Sequence, residues 1–158
     1  MKQPIFSTFF LLFFFIAFAC NNAVNSGNKT ATENSDGYFM NAKIGDTQFS
    51  ASGIREVSGV ITSSTGTLNI IGSNGSKSTL KYVSLGVTSY TNTPGTYNIV
   101  PGKIIGSLSL RPARIQIAVY GKIILTSANA ANVSGSFSFT CKDSTKVSGT
   151  FVAPVHTL

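Results

Sequence analysis

From residue 38 onward no stretch of the chain holds a helical period. Apolar residues alternate with polar ones in short runs, and each run ends on Gly, Pro, Asn or Ser. A period of two puts successive side chains on opposite faces of a strand, whereas a helix needs a period near 3.6. The pattern restricts the chain to an all-β fold. Residues 133–141 show it plainly, with Val133, Gly135, Phe137, Phe139 and Cys141 on one face. Residues 146–153 repeat it, and Val147, Gly149 and Phe151 mirror Val133, Gly135 and Phe137.

Turn chemistry divides the rest. Met40, Ala42 and Ile44 alternate up to Gly45-Asp46, a pair suited to a type II′ hairpin turn, and Phe49 and Ala51 follow. Runs at 54–62 and 67–71 flank Ser63-Ser64-Thr65-Gly66, and Val83, Leu85 and Val87 share a face further on. In Thr93-Pro94-Gly95-Thr96 the proline pre-sets the first central residue of a turn and the glycine accepts positive φ at the second. Over 115–125 the alternation predicts Ile115, Ile117, Val119, Ile123 and Leu125 on one side, with Gln116, Ala118, Tyr120 and Lys122 on the other. The result is nine to ten short antiparallel strands over residues 38–154. Such a chain closes as a β-sandwich or as a closed or partly open β-barrel. Scattered rather than periodic small residues favour the sandwich.

The surface composition is the kind expected of an exported protein. The chain has 158 residues, of which 11% are charged, against a usual quarter. By count it holds 21 Ser and 17 Thr, residues that suit strand faces where Lys and Glu do not. The net charge of +7 comes from basic residues spread singly along the chain. Without a dense basic run interleaved with aromatics, no nucleic-acid partner is expected.

The N-terminus carries an address. Lys2 precedes eleven apolar residues, 9–19, too few to span a bilayer and suited to a signal peptide over 1–19. Ala17-Phe18-Ala19 places small residues at both cleavage-determining positions, so the Ala19–Cys20 bond is the expected cut. Two outcomes stay open: Cys20 becomes a lipidated N-terminus, or an ordinary signal peptidase leaves a plain cysteine. The polar run 21–37 behaves as a flexible tether, which makes sense of Cys20 as an anchor. Cys141 falls on a core-facing strand position and is expected to be a free, buried thiol rather than a disulfide partner of Cys20.

Several pieces together resemble a known group. They are the signal ending at Ala19-Cys20, the early hairpin from Met40 to Phe49, Pro94-Gly-Thr-Tyr97, and the closing strands from Val133 to Phe139 and Gly149-Thr-Phe151. Their order is similar to that in small uncharacterised lipoproteins of Bacteroidota-type bacteria. The resemblance implies a β fold and a cell-envelope location, on the outer membrane through a lipid on Cys20. It implies no activity and no functional residues.

Chemistry is sparse. The single histidine, His156, lies in an expected C-terminal tail at 155–158, where no partner is placed for acid–base work. The acids Glu33, Asp36, Asp46, Glu56 and Asp143 fall in the tether or near turns. No Cys/His cluster suits zinc, no Asp-rich loop suits calcium and no glycine-rich loop suits phosphate. The chain is therefore expected to be non-catalytic, without metal or cofactor, in a binding or structural role. The alternative is a carrier of a small apolar ligand inside a β-barrel. The expected partner is the membrane, through the lipid anchor, and no residue pattern selects a protein or glycan partner. Asp143-Ser144-Thr145 resembles a short bacterial O-glycosylation acceptor, with Ser144 the candidate residue, and it also reads as a plain hairpin turn.

Overall fold

The computed structural model describes residues 36–75, 80–103, 105–110 and 114–158. These residues form ten strands and no helix: β1 (Phe39–Ile44), β2 (Thr47–Ser52), β3 (Val57–Thr62), β4 (Thr67–Asn74), β5 (Lys81–Val87), β6 (Gly95–Ile99), β7 (Ile105–Ser109), β8 (Ile115–Ala128), β9 (Asn132–Cys141) and β10 (Lys146–Thr157). The all-β expectation holds. Of the two closures, the barrel forms and the sandwich does not. Strands β10, β3, β4, β5, β7, β8 and β9 pair in a closed ring of seven, and β1, β2 and β6 are extra strands outside it.

Two long strands make the closure. β8 has 14 residues and β10 has 12, against a usual five or six. Each changes partner along its length on one edge. β10 pairs with β1 up to Val152 and with β3, in parallel, from Val155 to Thr157. Pro154 sits between the two partners, where its missing N–H costs no ladder bond to β1 or β3. β8 pairs with β7 over Ile115–Ile117 and with β6 over Gly121–Leu125. A shared strand that bends at a corner is how two layers merge into one barrel.

The bend in β8 overturns its expected face. The β8–β9 register slips between Ala118 and Tyr120, which leaves Val119 as the extra residue of a bulge. Gly121 follows at φ +150, with a neighbouring carbonyl, that of Ser138, where a Cβ would stand. Beyond the bulge Ile123 and Leu125 are buried as expected. Before it the parity inverts: Ala118 is buried, while Ile115, Ile117 and Val119 are exposed. One extra residue moves a strand's side chains to the opposite face.

The core explains the matched Val-Ser-Gly pieces. In the β9–β10 register Phe137 faces Gly149 and Phe151 faces Gly135, and in the β8–β9 register Phe139 faces Gly121. Each ring lies over a strand with no side chain of its own. Phe137 stacks on Phe139 at 6.0 Å between centroids and lies 6.3 Å from Phe151. Across the interior, Met40 fills the space above Gly72, where its Sδ is 2.7 Å from any added Cβ.

Local expectations mostly hold. Gly45 turns the first hairpin at φ +56. The Pro94-Gly95 turn does not form as read, because Gly95 is the first residue of β6, opposite Leu125, and the positive φ values fall on Ser89 and Asn92. The end of the chain is no tail. His156 and Thr157 pair with β3, and the Leu158 N–H donates to the Ile61 carbonyl. Asp36, assigned to the tether by sequence, already accepts the Ile54 N–H at 3.0 Å.

Cys141 is a free thiol, 1% exposed. Burial, and then the charge of Asp143, push its pKa from 9.0 up to about 11. Ionising it costs more in the folded state than in the unfolded one. Its contribution to stability is therefore complete below pH 9.0 and is lost as pH rises towards 11. Iodoacetamide at pH 8 is expected to label Cys141 only at the rate of unfolding, read by intact mass. Rapid labelling of the native protein would contradict the buried position.

Candidate binding groove

The sheet β2-β1-β10-β9-β8-β6 turns its outer face to solvent, and cross-strand registers set its side chains in rows. One row runs Asn98, Lys122, Ser138, Ser148, Lys43 and Gln48. Beside it lie Tyr120, Thr140 and Lys146. Paired side chains on one face stand about 5 Å apart, so these groups act together. Between the two rows the surface opens into a groove of about 540 Å³, where the polar residues Asn98, Tyr120, Lys122, Ser138, Thr140, Lys146 and Ser148 are joined by Gly121, Phe139 and Val147.

Its electrostatics are one-sided. Two ammonium groups, a phenol, an amide and several hydroxyls line the groove, and no carboxylate does. The bulge at Val119 and the bend at Gly121 set Tyr120 and Lys122 side by side at its rim. Lys43, Lys122 and Lys146 are in no ion pair among the described residues. The arrangement offers hydrogen-bond donors and positive charge in excess, with an aromatic face beside them. It offers no base held against a nucleophile.

A second cleft, of about 420 Å³, lies at the other end of β8, lined by Arg114, Ile115, Gln116, Ile117, Lys142 and Asp143. Gln116 Nε2 donates to Asp143 Oδ2 at 2.6 Å, while Gln116 Oε1 is buried without a partner among the described residues. Both clefts lie on the outside of the barrel. The interior is one continuous cluster of buried side chains, from Met40 and Leu68 through Leu85 and Phe137 to Phe151.

The residues singled out by sequence are dispersed. Ala19 and Cys20, with Glu33 and most of the tether, lie outside the described residues. Ser144 is exposed at the tip of the β9–β10 hairpin at φ +70, where its N–H donates to the Cys141 carbonyl at 2.9 Å. His156 is held in β10 by its backbone, and its exposed imidazole makes no hydrogen bond among the described residues. Three acids serve the backbone: Asp36 takes the Ile54 N–H, Glu56 takes the Ser52 N–H at 2.8 Å, and Asp143 takes the Thr145 N–H at 3.1 Å. The Thr145 N–H, and then the Thr145 hydroxyl, hold the Asp143 carboxyl below its usual pKa. Among the described residues no three His, Cys, Asp or Glu side chains gather as metal ligands.

Of the tyrosines, Tyr120 alone lines the groove. Tyr90 is buried, and Tyr97 packs against the core. Sequence reading placed Tyr120 and Lys122 on one strand face but assigned neither to a site. It missed Lys146 and Asn98, whose approach depends on pairings of distant strands. No protein-family model matches the chain, and no curated protein or solved structure matches it either. The lipoprotein likeness of the sequence therefore stays an expectation.

Proposed function

We propose that the protein is a cell-envelope lipoprotein, held by lipid on Cys20, whose β-barrel is a non-catalytic binding domain. The observation that carries the binding role is the outer groove, where Lys122 and Lys146 flank Tyr120 with no acid beside them. Amines attract a carboxylate, hydroxyls and amides hydrogen-bond to neighbouring hydroxyls, and a tyrosine face packs on a sugar ring. The groove suits an acidic, hydroxyl-rich ligand such as a uronic-acid glycan. The carrier alternative is not taken up, because side chains fill the barrel interior. Ser144, exposed on its hairpin, keeps its place as a candidate O-glycosylation residue.

Each half of the proposal has its own test. Intact mass of the mature chain is expected to show acylated Cys20, and Cys20→Ala is expected to release the protein from the membrane fraction. Calorimetric titration with oligogalacturonate is expected to show binding, with neutral malto-oligosaccharide as the control. The Lys122→Ala/Lys146→Ala variant should weaken that binding roughly tenfold or more, since one charge-assisted hydrogen bond is worth about 1.5 kcal/mol or more. Equal affinity for the neutral sugar, or no binding of either, rules out the groove assignment. Membrane retention surviving Cys20→Ala rules out the anchor.

A further inference from the structure

The barrel has a second outer face of opposite character. On β3, β4, β5, β7 and the start of β8 the outward registers run Ser58, Ile71, Ser84, Ser107, Ile117, then Val60, Asn69, Gly86, Ile105, then Ser73, Tyr82, Ser109, Ile115. No charged residue occurs in these three rows, in a chain of net charge +7. Within them Ile115 is 61% exposed, Ile117 60%, Ile105 48% and Ile71 37%, and Val119 borders them at 37%. A contiguous exposed apolar patch on a soluble domain marks an interaction surface. The bulge at Val119 creates it, by turning Ile115 and Ile117 away from the core.

The charge around this face identifies its occupant. Arg114 and Lys142 share a cleft with Ile115 and Ile117, and Lys103 is exposed in the turn before Ile105. Against these three cations stand two acids, Asp143 in the same cleft and Glu56 just before β3, so positive charge is in excess. Asp143 is hydrogen-bonded to Thr145 and Gln116, and Glu56 to Ser52. An uncharged, isoleucine-studded surface with cations at its border matches a bilayer carrying anionic headgroups, in which apolar side chains enter the interface and Lys or Arg meet phosphate. A second copy of the chain would bring the same cations together.

We infer that the outer face of β3, β4, β5, β7 and the start of β8 docks on an anionic phospholipid surface, with Ile105, Ile115 and Ile117 entering the interface. The anchored reading contributes only that a bilayer is within reach. Docking in turn leaves the groove on the other sheet facing away from the membrane.

The chain has no tryptophan, so an introduced one is the single indole and is excited selectively over the tyrosines at the red edge of the absorption band. The full chain carrying Ile117→Trp, and separately Ile115→Trp, is mixed with phosphatidylglycerol vesicles, with phosphatidylcholine vesicles and with none. Thr150→Trp, on the exposed face of β10, is the reference. Emission at 117 and 115 is expected to shift to shorter wavelength, and to be quenched by brominated acyl chains, on phosphatidylglycerol alone, weakening as salt rises. Emission at 150 should not shift. Unchanged emission at both 117 and 115, or an equal response at 150, overturns the inference. A shift without vesicles that grows with protein concentration overturns it in favour of self-association. The anchor is judged separately: a chain with unacylated Cys20 that still shows the shift loses the anchor and keeps the docking face, and an acylated chain without the shift does the reverse.

Discussion

Phe137→Ala is expected to destabilise the barrel by about 3–5 kcal/mol, the range for truncating a buried phenylalanine. The ring is 3% exposed and sits between Phe139 and Phe151. Its cross-strand partners are Gly149 on β10 and Ile123 on β8. Gly149 has no side chain to move into the void, so any relaxation is left to Ile123, Phe139 and Phe151. Urea unfolding followed by far-ultraviolet circular dichroism measures the change. A loss below about 1 kcal/mol would mean that the rings do not form one cluster over β9 and β10.

Gly149→Ala is the second large effect, and its sign is the informative part. Glycine within a strand is normally weaker than alanine by roughly 0.5–1 kcal/mol, so the substitution would ordinarily stabilise. At this position a Cβ runs into the Asn41 carbonyl, comes to 2.7 Å of Phe137 Cζ and to 3.0 Å of Ala42 Cα. Backbone cannot yield as a flexible side chain can. The expected result is a loss of about 3 kcal/mol, the high end of overpacking. Gly95→Ala is the contrast: its nearest atoms are on Tyr97, at 3.6 Å or more, and it should change stability by less than about 0.5 kcal/mol. Combining Gly149→Ala with Phe137→Ala should cost less than the sum of the two, because one of the three obstructions is removed. Simple additivity of the pair would contradict a shared site.

These two residues show what was legible beforehand. The matched spacing of Val133-Ser-Gly-Ser-Phe and Val147-Ser-Gly-Thr-Phe was visible as two strands under one packing rule. That the rule sets each phenylalanine on the other strand's glycine emerges only from the antiparallel register. At β8 the alternation was equally visible, and reading it as one face was mistaken at Ile115, Ile117, Val119 and Ala118. A bulge leaves no mark on the hydrophobic period, because the period counts residues and the bulge adds one without pairing it. The groove was not legible as a site for a related reason: Tyr120 and Lys122 share a strand face in the sequence, whereas Lys146 and Asn98 reach them through pairings across β9 and β6.

The sequence by itself determined the strand class, most of the turns, the inward position of Cys141, and the lack of a recognisable catalytic or metal motif. All of these follow from alternation, residue type and short spacing, which act over a few neighbours. Only the tertiary structure decided that the strands close as a barrel, that β8 and β10 each serve two partners, and that the exterior divides into a basic groove and an uncharged isoleucine face. Pairing between distant strands depends on hydrogen bonds and buried contacts summed over the whole ring, and no local run of residues contains that sum.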